Sequence, residues 1–98
     1  MAVQDPLARG VYAISVAADL VGIGQQNLRL YERRGLLEPV RTSGGTRQYS
    51  ENDVAVLRRI TELLGEGLNL KGIGLVLRLE AENRALRLEL ERRTATGS

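Results

Sequence analysis

The sequence predicts a mainly α-helical fold that contains one short β-hairpin and ends in a long amphipathic helix. Three observations predict this fold: two short helical segments joined by a glycine-bearing turn, a Gly-rich turn between two short extended segments, and heptad-spaced apolar residues near the C-terminus. A chain of 98 residues is expected to form one domain with a small core, so a monomer would be only marginally stable. Dimerisation is one common way to add stability to such a domain.

The composition argues against an enzyme and against a metal site. The chain contains no Cys and no His, so it lacks the commonest metal ligands and the commonest general base. We therefore expect no cofactor and no bound metal. No apolar run approaches the ~20 residues of a membrane span, and nothing near the N-terminus has the pattern of a signal peptide. We accordingly expect a cytoplasmic protein without a membrane partner.

The first two helices have the spacing of a helix-turn-helix. After a flexible leader at residues 1–10 and a short extended piece, Ser15 is placed to cap a short helix. Gly22 and Gly24 then bracket a tight turn, and a second helix follows over about residues 25–34, with Gly35 placed to end it. Such a pair of helices predicts a DNA-binding unit whose second helix enters the major groove.

The second helix carries side chains suited to base contacts. Gln and Asn can pair with adenine and Arg with guanine, whereas Arg at the helix C-terminus either neutralises the helix dipole or contacts phosphate. Leu28 is expected to face inward, and Tyr31 either reaches a phosphate or forms the edge of the core. The DNA-binding residues predicted in this helix pair are Ser15, Gln25, Gln26, Asn27, Arg29, Tyr31 and Arg33.

A β-hairpin follows the second helix and completes a winged helix-turn-helix over residues 11–75. Two short extended segments flank Gly44 and Gly45, and Pro39 confines the first segment to a sheet edge. The tip can lie along the sugar-phosphate chain. Tyr49 is expected to pack in the core rather than to bind phosphate. The predicted DNA contacts of the hairpin are Arg41, Thr42, Thr46 and Arg47.

Two further helices follow the hairpin, and each begins with a capping residue. Ser50 is followed three residues later by Asp53, which is a capping-box pattern, and this helix is expected to end at Gly65 and Gly67. Asn69 is placed to cap the next helix.

Beyond this cap, apolar positions recur in steps of three and four residues, as in a coiled coil. We expect residues 76–93 to form a dimerisation helix, because too little chain remains to cover its far end, and residues 94–98 to form a disordered tail. The alternative is an amphipathic helix that folds back on its own domain. The four glutamates of this region are expected to form a solvated face: Glu80, Glu82, Glu89 and Glu91. The predicted dimer contacts are Val76, Leu79, Asn83, Leu86 and Leu90.

These motifs resemble the DNA-binding domain of the MerR family of transcriptional regulators. The resemblance rests on the segments ISVAADLVGI at residues 14–23, LRLYERRGL at residues 28–36 and RQYS at residues 47–50. Two more segments, RTSGG at residues 41–45 and EGLNLKGI at residues 66–73, are similar to the heat-shock repressor subgroup of that family.

The resemblance implies an antiparallel coiled-coil dimer that binds inverted-repeat operators upstream of chaperone genes, with an Hsp70-type chaperone as corepressor. By matched position, Arg29, Tyr31 and Arg47 would contact DNA. The sequence departs from the family pattern at Leu30, where many members have a second Tyr, and at Gly24, which replaces a common capping Ser. No small-molecule effector domain is expected after the dimerisation helix.

Two other classes of function also fit the residues. One is an architectural DNA-binding factor of the excisionase kind, although such factors usually lack an extended coiled coil. The other is a protein-interaction module whose coiled coil recruits a partner and whose basic face is incidental. We expect a sequence-specific, dimeric DNA-binding repressor, because the helix pair, the Arg-bearing hairpin and the heptads occur together.

Overall fold

The computed structural model describes residues 6–96, which form four α-helices and a three-stranded antiparallel sheet. The predicted mainly helical winged fold with a long C-terminal helix is confirmed. None of the helices in the described range is long and apolar enough to cross a bilayer. The elements in chain order are a 3₁₀ turn Pro6–Ala8, β1 Gly10–Tyr12, α1 Ile14–Val21, α2 Gln25–Arg33, β2 Val40–Arg41, β3 Arg47–Ser50, α3 Glu51–Gly65 and α4 Leu70–Thr96.

Left-handed glycines end both helices of the helix-turn-helix. Gly22 follows α1 with a φ of 79°, and the N–H of Ile23 donates to the carbonyl of Ala18 over 3.0 Å. Gly35 follows α2 with a φ of 74°, a conformation that favours glycine because it has no Cβ. Both glycines therefore stop their helices as the sequence predicts, and Gly24 is the N-cap residue of α2.

The helix caps agree with the sequence at two positions and disagree at one. Ser50 caps α3 because its Oγ accepts from the N–H of Asp53, whose carboxylate accepts in return from the N–H of Ser50. The Oδ1 of Asn69 accepts from the N–H of Gly72 at the start of α4. The predicted cap at Ser15 is wrong: α1 starts at Ile14, its N-cap residue has no side-chain acceptor, and Ser15 lies exposed in the first turn.

The sheet contains one strand more than the predicted hairpin. β1 and β2 both pair antiparallel with β3, so β3 is the central strand and β2 lies at an edge, as expected from Pro39. The leader predicted at residues 1–10 is wrong for its second half, because the chain is structured from Pro6 onwards; residues 1–5 lie outside the described range. Gly10 admits this pairing, since a Cβ there would lie 2.8 Å from the Cβ of Gln48.

The core lies where α1, α2, α3 and the sheet meet. Burial of the apolar face of α3 at helical spacing confirms the periodicity that the sequence shows. Leu28 is fully buried, as predicted. The buried apolar residues are Ala17, Ala18, Leu28, Tyr31, Leu37, Tyr49, Val54, Leu57, Ile60, Leu63 and Ile73.

Helix α4 is continuous from Leu70 to Thr96, so the described part of the predicted tail, residues 94–96, is helical and that prediction is wrong there. Residues 97 and 98 lie outside the described range. The first turns of α4 pack on the domain through buried Ile73, whereas the later turns project from it and do not fold back. The four leucines Leu79, Leu86, Leu88 and Leu90 are 62% to 69% exposed.

An ion pair that the sequence did not predict connects α3 to α4. Arg59 on α3 forks onto the carboxylate of Glu80, with a shortest nitrogen–oxygen distance of 2.8 Å, and also contacts Glu62. Of the four glutamates predicted to form a solvated face, Glu82 and Glu91 are exposed, whereas Glu80 and Glu89 are half-buried. Hydrogen bonding to Arg59 lowers the pKa of Glu80.

The reciprocal cap at the start of α3 makes a measurable contribution to stability. We expect Ser50→Ala to lower the free energy of unfolding by about 1 kcal/mol, within a range of about 0.5–2 kcal/mol, because the Asp53 N–H loses its acceptor in a buried position. Urea titration followed by circular dichroism measures this. Ser15→Ala is the matched control and should change the same quantity by less than about 0.5 kcal/mol; equal losses in both variants would contradict the assignment of the caps.

Candidate nucleic-acid interface

Helix α2 has one buried side and one open side. Leu28 and Tyr31 are buried, whereas Gln25, Gln26 and Asn27 in the first turn are exposed. Residues four apart on a helix share a face. We call the polar face opposite Leu28 the outer face of α2; it consists of Gln25, Gln26, Arg29 and Arg33.

The individual side chains of α2 differ in how they could meet a duplex. Arg33 is exposed and Arg29 is half-buried. Asn27 is exposed but lies on the flank of the outer face. Tyr31 is only 4% exposed, so its ring packs in the core and any phosphate contact would be limited to its hydroxyl. Burial raises the pKa of Tyr31. The outer face is therefore available for base contacts, and Tyr31 chiefly anchors it.

The hairpin β2–β3 forms a wing with a closed tip. The N–H of Thr42 donates to the carbonyl of Thr46, and the N–H of Thr46 donates to the Oγ1 of Thr42 over 3.1 Å. Gly45 completes the turn with a φ of 85°, and Arg41 donates from Nη1 to its carbonyl over 3.1 Å. Arg41 and Thr46 are exposed and Thr42 is half-buried. The tip thus presents small side chains and one cation on a fixed turn.

A buried carboxylate joins the wing to α2. Glu32, on α2, lies 2.8 Å from the Nε of Arg47 and accepts a 2.9 Å hydrogen bond from the hydroxyl of Tyr49. The side chain of Glu32 is 10% exposed and that of Arg47 is 35% exposed. We call this set of three residues the Glu32 bridge. It sets the position of β3, and with it the wing, relative to α2.

The Glu32 bridge is also an electrostatic junction. Burial, followed by the hydrogen bond to Glu32, raises the pKa of Tyr49 well above its usual value, while the cations of Arg47 and Arg29 oppose the rise. The cations of Arg29 on α2 and of Arg47 on the wing thus act in the same direction on the pKa of Tyr49.

The predicted site is only partly one surface. The outer face of α2 and the wing are joined by the Glu32 bridge, whereas Ser15 lies on the first turn of α1. Sequence reasoning missed Glu32 altogether. Arg47 and Tyr49 are two apart on one strand and so share a face, and Glu32 is the only acidic residue of α2. That pattern was a signal for the bridge.

Comparison with known proteins identifies the family. The family described as MerR HTH family regulatory protein matches residues 12–80. The chain belongs to the MerR family. The expectation that it is not an enzyme is confirmed, because the MerR relatives are transcriptional regulators.

Named MerR relatives cover much of this chain. It is 49% identical over 71 residues to the putative heat shock protein HspR of Streptomyces coelicolor, covering 71% of this chain and 47% of that protein. It is 35% identical over 91 residues to the HTH-type transcriptional regulator GlnR of Bacillus anthracis, covering 93% of this chain and 70% of that one. The chain thus spans about half the length of the HspR relative.

Solved MerR structures share the fold. HiNmlR, a MerR family regulator lacking the sensor domain and solved bound to promoter DNA, superposes with a TM-score of 0.67 at 27% identity, covering 86% of this chain and 67% of that one. A MerR family regulator from Bacillus cereus gives a TM-score of 0.61 at 28% identity, covering 86% and 72%. The arrangement described above is therefore a MerR-type DNA-binding domain.

The raised pKa values of the tyrosines predict how stability changes in alkali. The folded-state pKa values of Tyr31 and Tyr49 lie above the usual tyrosine value of 10.0. The contribution of their protonated hydroxyls to stability is therefore fully present below pH 10 and is lost as the pH rises through the folded-state values. We expect tyrosinate absorbance of the folded protein to appear only above pH 10, and the free energy of unfolding to fall there.

In the same titration, Tyr49→Phe should lose less stability between pH 10 and pH 12 than the wild type, because the largest contributor is gone. Spectrophotometric titration in buffer and in urea measures both effects. Tyrosines that titrate at the same pH in the folded and urea-unfolded protein would contradict this account of the bridge.

Proposed function

We propose that this chain is a sequence-specific DNA-binding transcriptional regulator that represses heat-shock or chaperone genes as a homodimer on inverted-repeat operators. The observation that carries the proposal is the outer face of α2, which is open to solvent while Leu28 and Tyr31 anchor the opposite side. Gln25 and Arg29 would contact base edges, and Arg33 and the wing would contact phosphates.

The charge of this region supports DNA as the ligand. Between Leu20 and Tyr49 the chain has five Arg and only two acidic residues, Glu32 and Glu38. Because Glu32 is paired with Arg47, the four other Arg of this region face a single acidic residue, Glu38, and the region keeps its net positive charge. The fold similarity to a MerR regulator solved on promoter DNA supports the same proposal.

Dimerisation would proceed through the projecting half of α4. We call the heptad residues Val76, Leu79, Asn83, Leu86 and Leu90 the leucine seam; it runs along one side of the helix over about 21 Å. Within residues 6–96 no side chain covers Leu86 or Leu90, and burying such leucines against a second copy is favourable. Asn83 at an apolar position would restrict the register of the two helices.

The heat-shock role rests on the 49% identity to HspR and on the segments similar to that subgroup. In this proposal the regulator occupies, and bends, a chaperone promoter, and an Hsp70-type chaperone acts as corepressor. Chromatin immunoprecipitation before and after heat shock tests the target genes. Occupancy that is absent from chaperone promoters would overturn the heat-shock part and leave DNA binding untouched.

Two arginine substitutions should affect DNA binding in different ways. We expect Arg29→Ala to reduce discrimination between operator and random DNA by about 5- to 150-fold, since a base contact is worth about 1–3 kcal/mol. We expect Arg47→Ala to weaken binding evenly across sequences and to lower the salt slope by about 1 for each protomer. Mobility-shift titration at several salt concentrations, on duplexes obtained by binding-site selection, measures both.

Arg87→Ala, on the projecting half of α4, is the control and should leave sequence discrimination and salt slope near wild-type values. If the wild-type protein shows no preference for any selected duplex over random DNA at moderate salt, the proposal of sequence-specific regulation is wrong. In that case an architectural or purely protein-binding role would become the better account.

The leucine seam can be tested with two equally exposed leucines. Leu86 is 69% exposed and lies in the seam, whereas Leu88 is 64% exposed and lies on the opposite side of α4. We expect Leu86→Lys to yield monomers and Leu88→Lys to remain dimeric, because only the first change buries an unpaired charge in the dimer. Sedimentation velocity at tens of micromolar measures the outcome. A monomeric wild type, or the reverse behaviour of the two variants, would refute the seam.

A further inference from the structure

The Glu32 bridge puts a negative charge inside the surface proposed to meet DNA. Glu32 is the only acidic residue of α2. It lies about one helical turn after Arg29, which belongs to the outer face. A carboxylate beside a phosphate backbone weakens DNA binding by repulsion, so a favourable role is needed to offset that cost. Its burial and its two hydrogen bonds point to such a task.

The geometry of Arg47 shows what the task is. Only Nε of its guanidinium engages Glu32, at 2.8 Å from Oε2 and 3.1 Å from Oε1. Within residues 6–96 no group accepts a hydrogen bond from the two terminal nitrogens of Arg47. The guanidinium is planar, so fixing Nε also fixes the direction of the outer Nη1–Nη2 edge. That edge is the fork that binds phosphate through two parallel hydrogen bonds.

The hydroxyl of Tyr49 holds the carboxylate of Glu32 from the side of the core. It donates to Oε2 of Glu32 over 2.9 Å, and Tyr49 itself is fully buried on the central strand. The carboxylate is therefore held by the core on one side and holds the guanidinium on the other. A side chain that is otherwise long and flexible is preorganised.

We propose that Glu32 is a positioning residue for DNA binding, which orients Arg47 so that its outer edge meets a backbone phosphate beside the groove entered by α2. This inference rests on the proposed function and adds a residue that itself touches no DNA. Glu32 strengthens DNA binding although its charge has the wrong sign.

The sign of the effect separates this role from simple electrostatics. If Glu32 acted only as a charge, Glu32→Gln would strengthen DNA binding and steepen its salt dependence. If Glu32 positions Arg47, Glu32→Gln releases the guanidinium, so binding weakens and the salt slope becomes shallower. Glu38→Gln is the matched control, because Glu38 is exposed in the same region and its loss should strengthen binding slightly.

Fluorescence anisotropy of the full chain on a labelled duplex of about 30 base pairs, enough for two half-sites one helical turn apart, makes the measurement. The duplex comes from binding-site selection with the wild-type protein, and a shuffled duplex serves for non-specific binding. For Glu32→Gln we expect a slope lower by about 0.9 for each protomer and affinity at 0.1 M salt lower by about eightfold for each protomer. In an Arg47→Ala background, Glu32→Gln should cost no further affinity.

Lysine at position 47 gives a second test that keeps Glu32 intact. A lysine has one nitrogen, which cannot both sit on Glu32 and reach the place of the outer guanidinium edge. We expect Arg47→Lys to lose the same salt slope as Arg47→Ala. Thermal unfolding by circular dichroism confirms that each variant is folded before its binding is compared.

The outcomes distinguish this inference from the proposed function. Wild-type protein that ignores sequence overturns the specific regulator, whereas the salt slope on the shuffled duplex still tests Glu32. A Glu32→Gln variant that behaves like Glu38→Gln overturns the positioning role alone. An equal loss of affinity in the wild-type and Arg47→Ala backgrounds also overturns it, because Glu32 would then act through the fold and not through Arg47.

Discussion

The burial of one side of α2 is the constraint on which the rest of the interface depends. Leu28 is completely buried and Tyr31 nearly so, and each such side chain contributes roughly 1.5–3 kcal/mol to keeping the helix on the core. Because the period of the helix is fixed, this burial turns Gln25, Gln26 and Arg29 towards solvent. Gly35, with its positive φ, lets the chain turn away sharply at the end of α2.

Helix α4, like α2, has one part that packs on the core and another that is exposed to solvent. Its first turns belong to the core through Ile73 and are tied to α3 by the ion pair between Arg59 and Glu80. Its later turns carry the leucine seam. No break separates the two parts, so any geometry imposed by a second copy on the seam passes directly to the domain. In the proposed dimer, this continuous helix would link the spacing of the two DNA-binding units to side chains far from the DNA.

The fold was largely predictable because its signals are local. Capping boxes, C-terminal glycines and apolar periodicity act within a few residues, and Ser50, Asn69 and Gly35 do what their positions predict. The misses concern either short strands or distant partners. The short extended piece was predicted, but its pairing with β3 was not, because β1 has only three residues and no periodicity of its own. Nothing local could warn that Ala13 would replace Ser15 as the first cap.

The exposed residues of the candidate site could be predicted from the sequence, but the ion pairs and hydrogen bonds that hold its elements together could not. Gln25, Gln26 and Asn27 are open as expected, and their contacts with DNA stay predictions. The partners of Glu32 lie 15 and 17 residues away, and Arg59 and Glu80 are 21 apart. Charge pairs at such separations depend on how elements pack, which propensity and spacing alone do not determine.

The strong preference of this chain for arginine acquires a structural meaning from these pairs. Thirteen of its fourteen basic residues are Arg, and a guanidinium can hold one partner with one edge while offering another edge elsewhere. Arg59 does this between Glu80 and Glu62, both on the protein. The guanidinium of Arg47 contacts Glu32 through Nε, and its outer Nη1–Nη2 edge donates no hydrogen bond within residues 6–96. A lysine could neutralise Glu32 equally well, but the charge that neutralised it would then be unavailable to a phosphate. In the proposed complex, the second edge would allow a buried acid and a DNA phosphate to share one side chain.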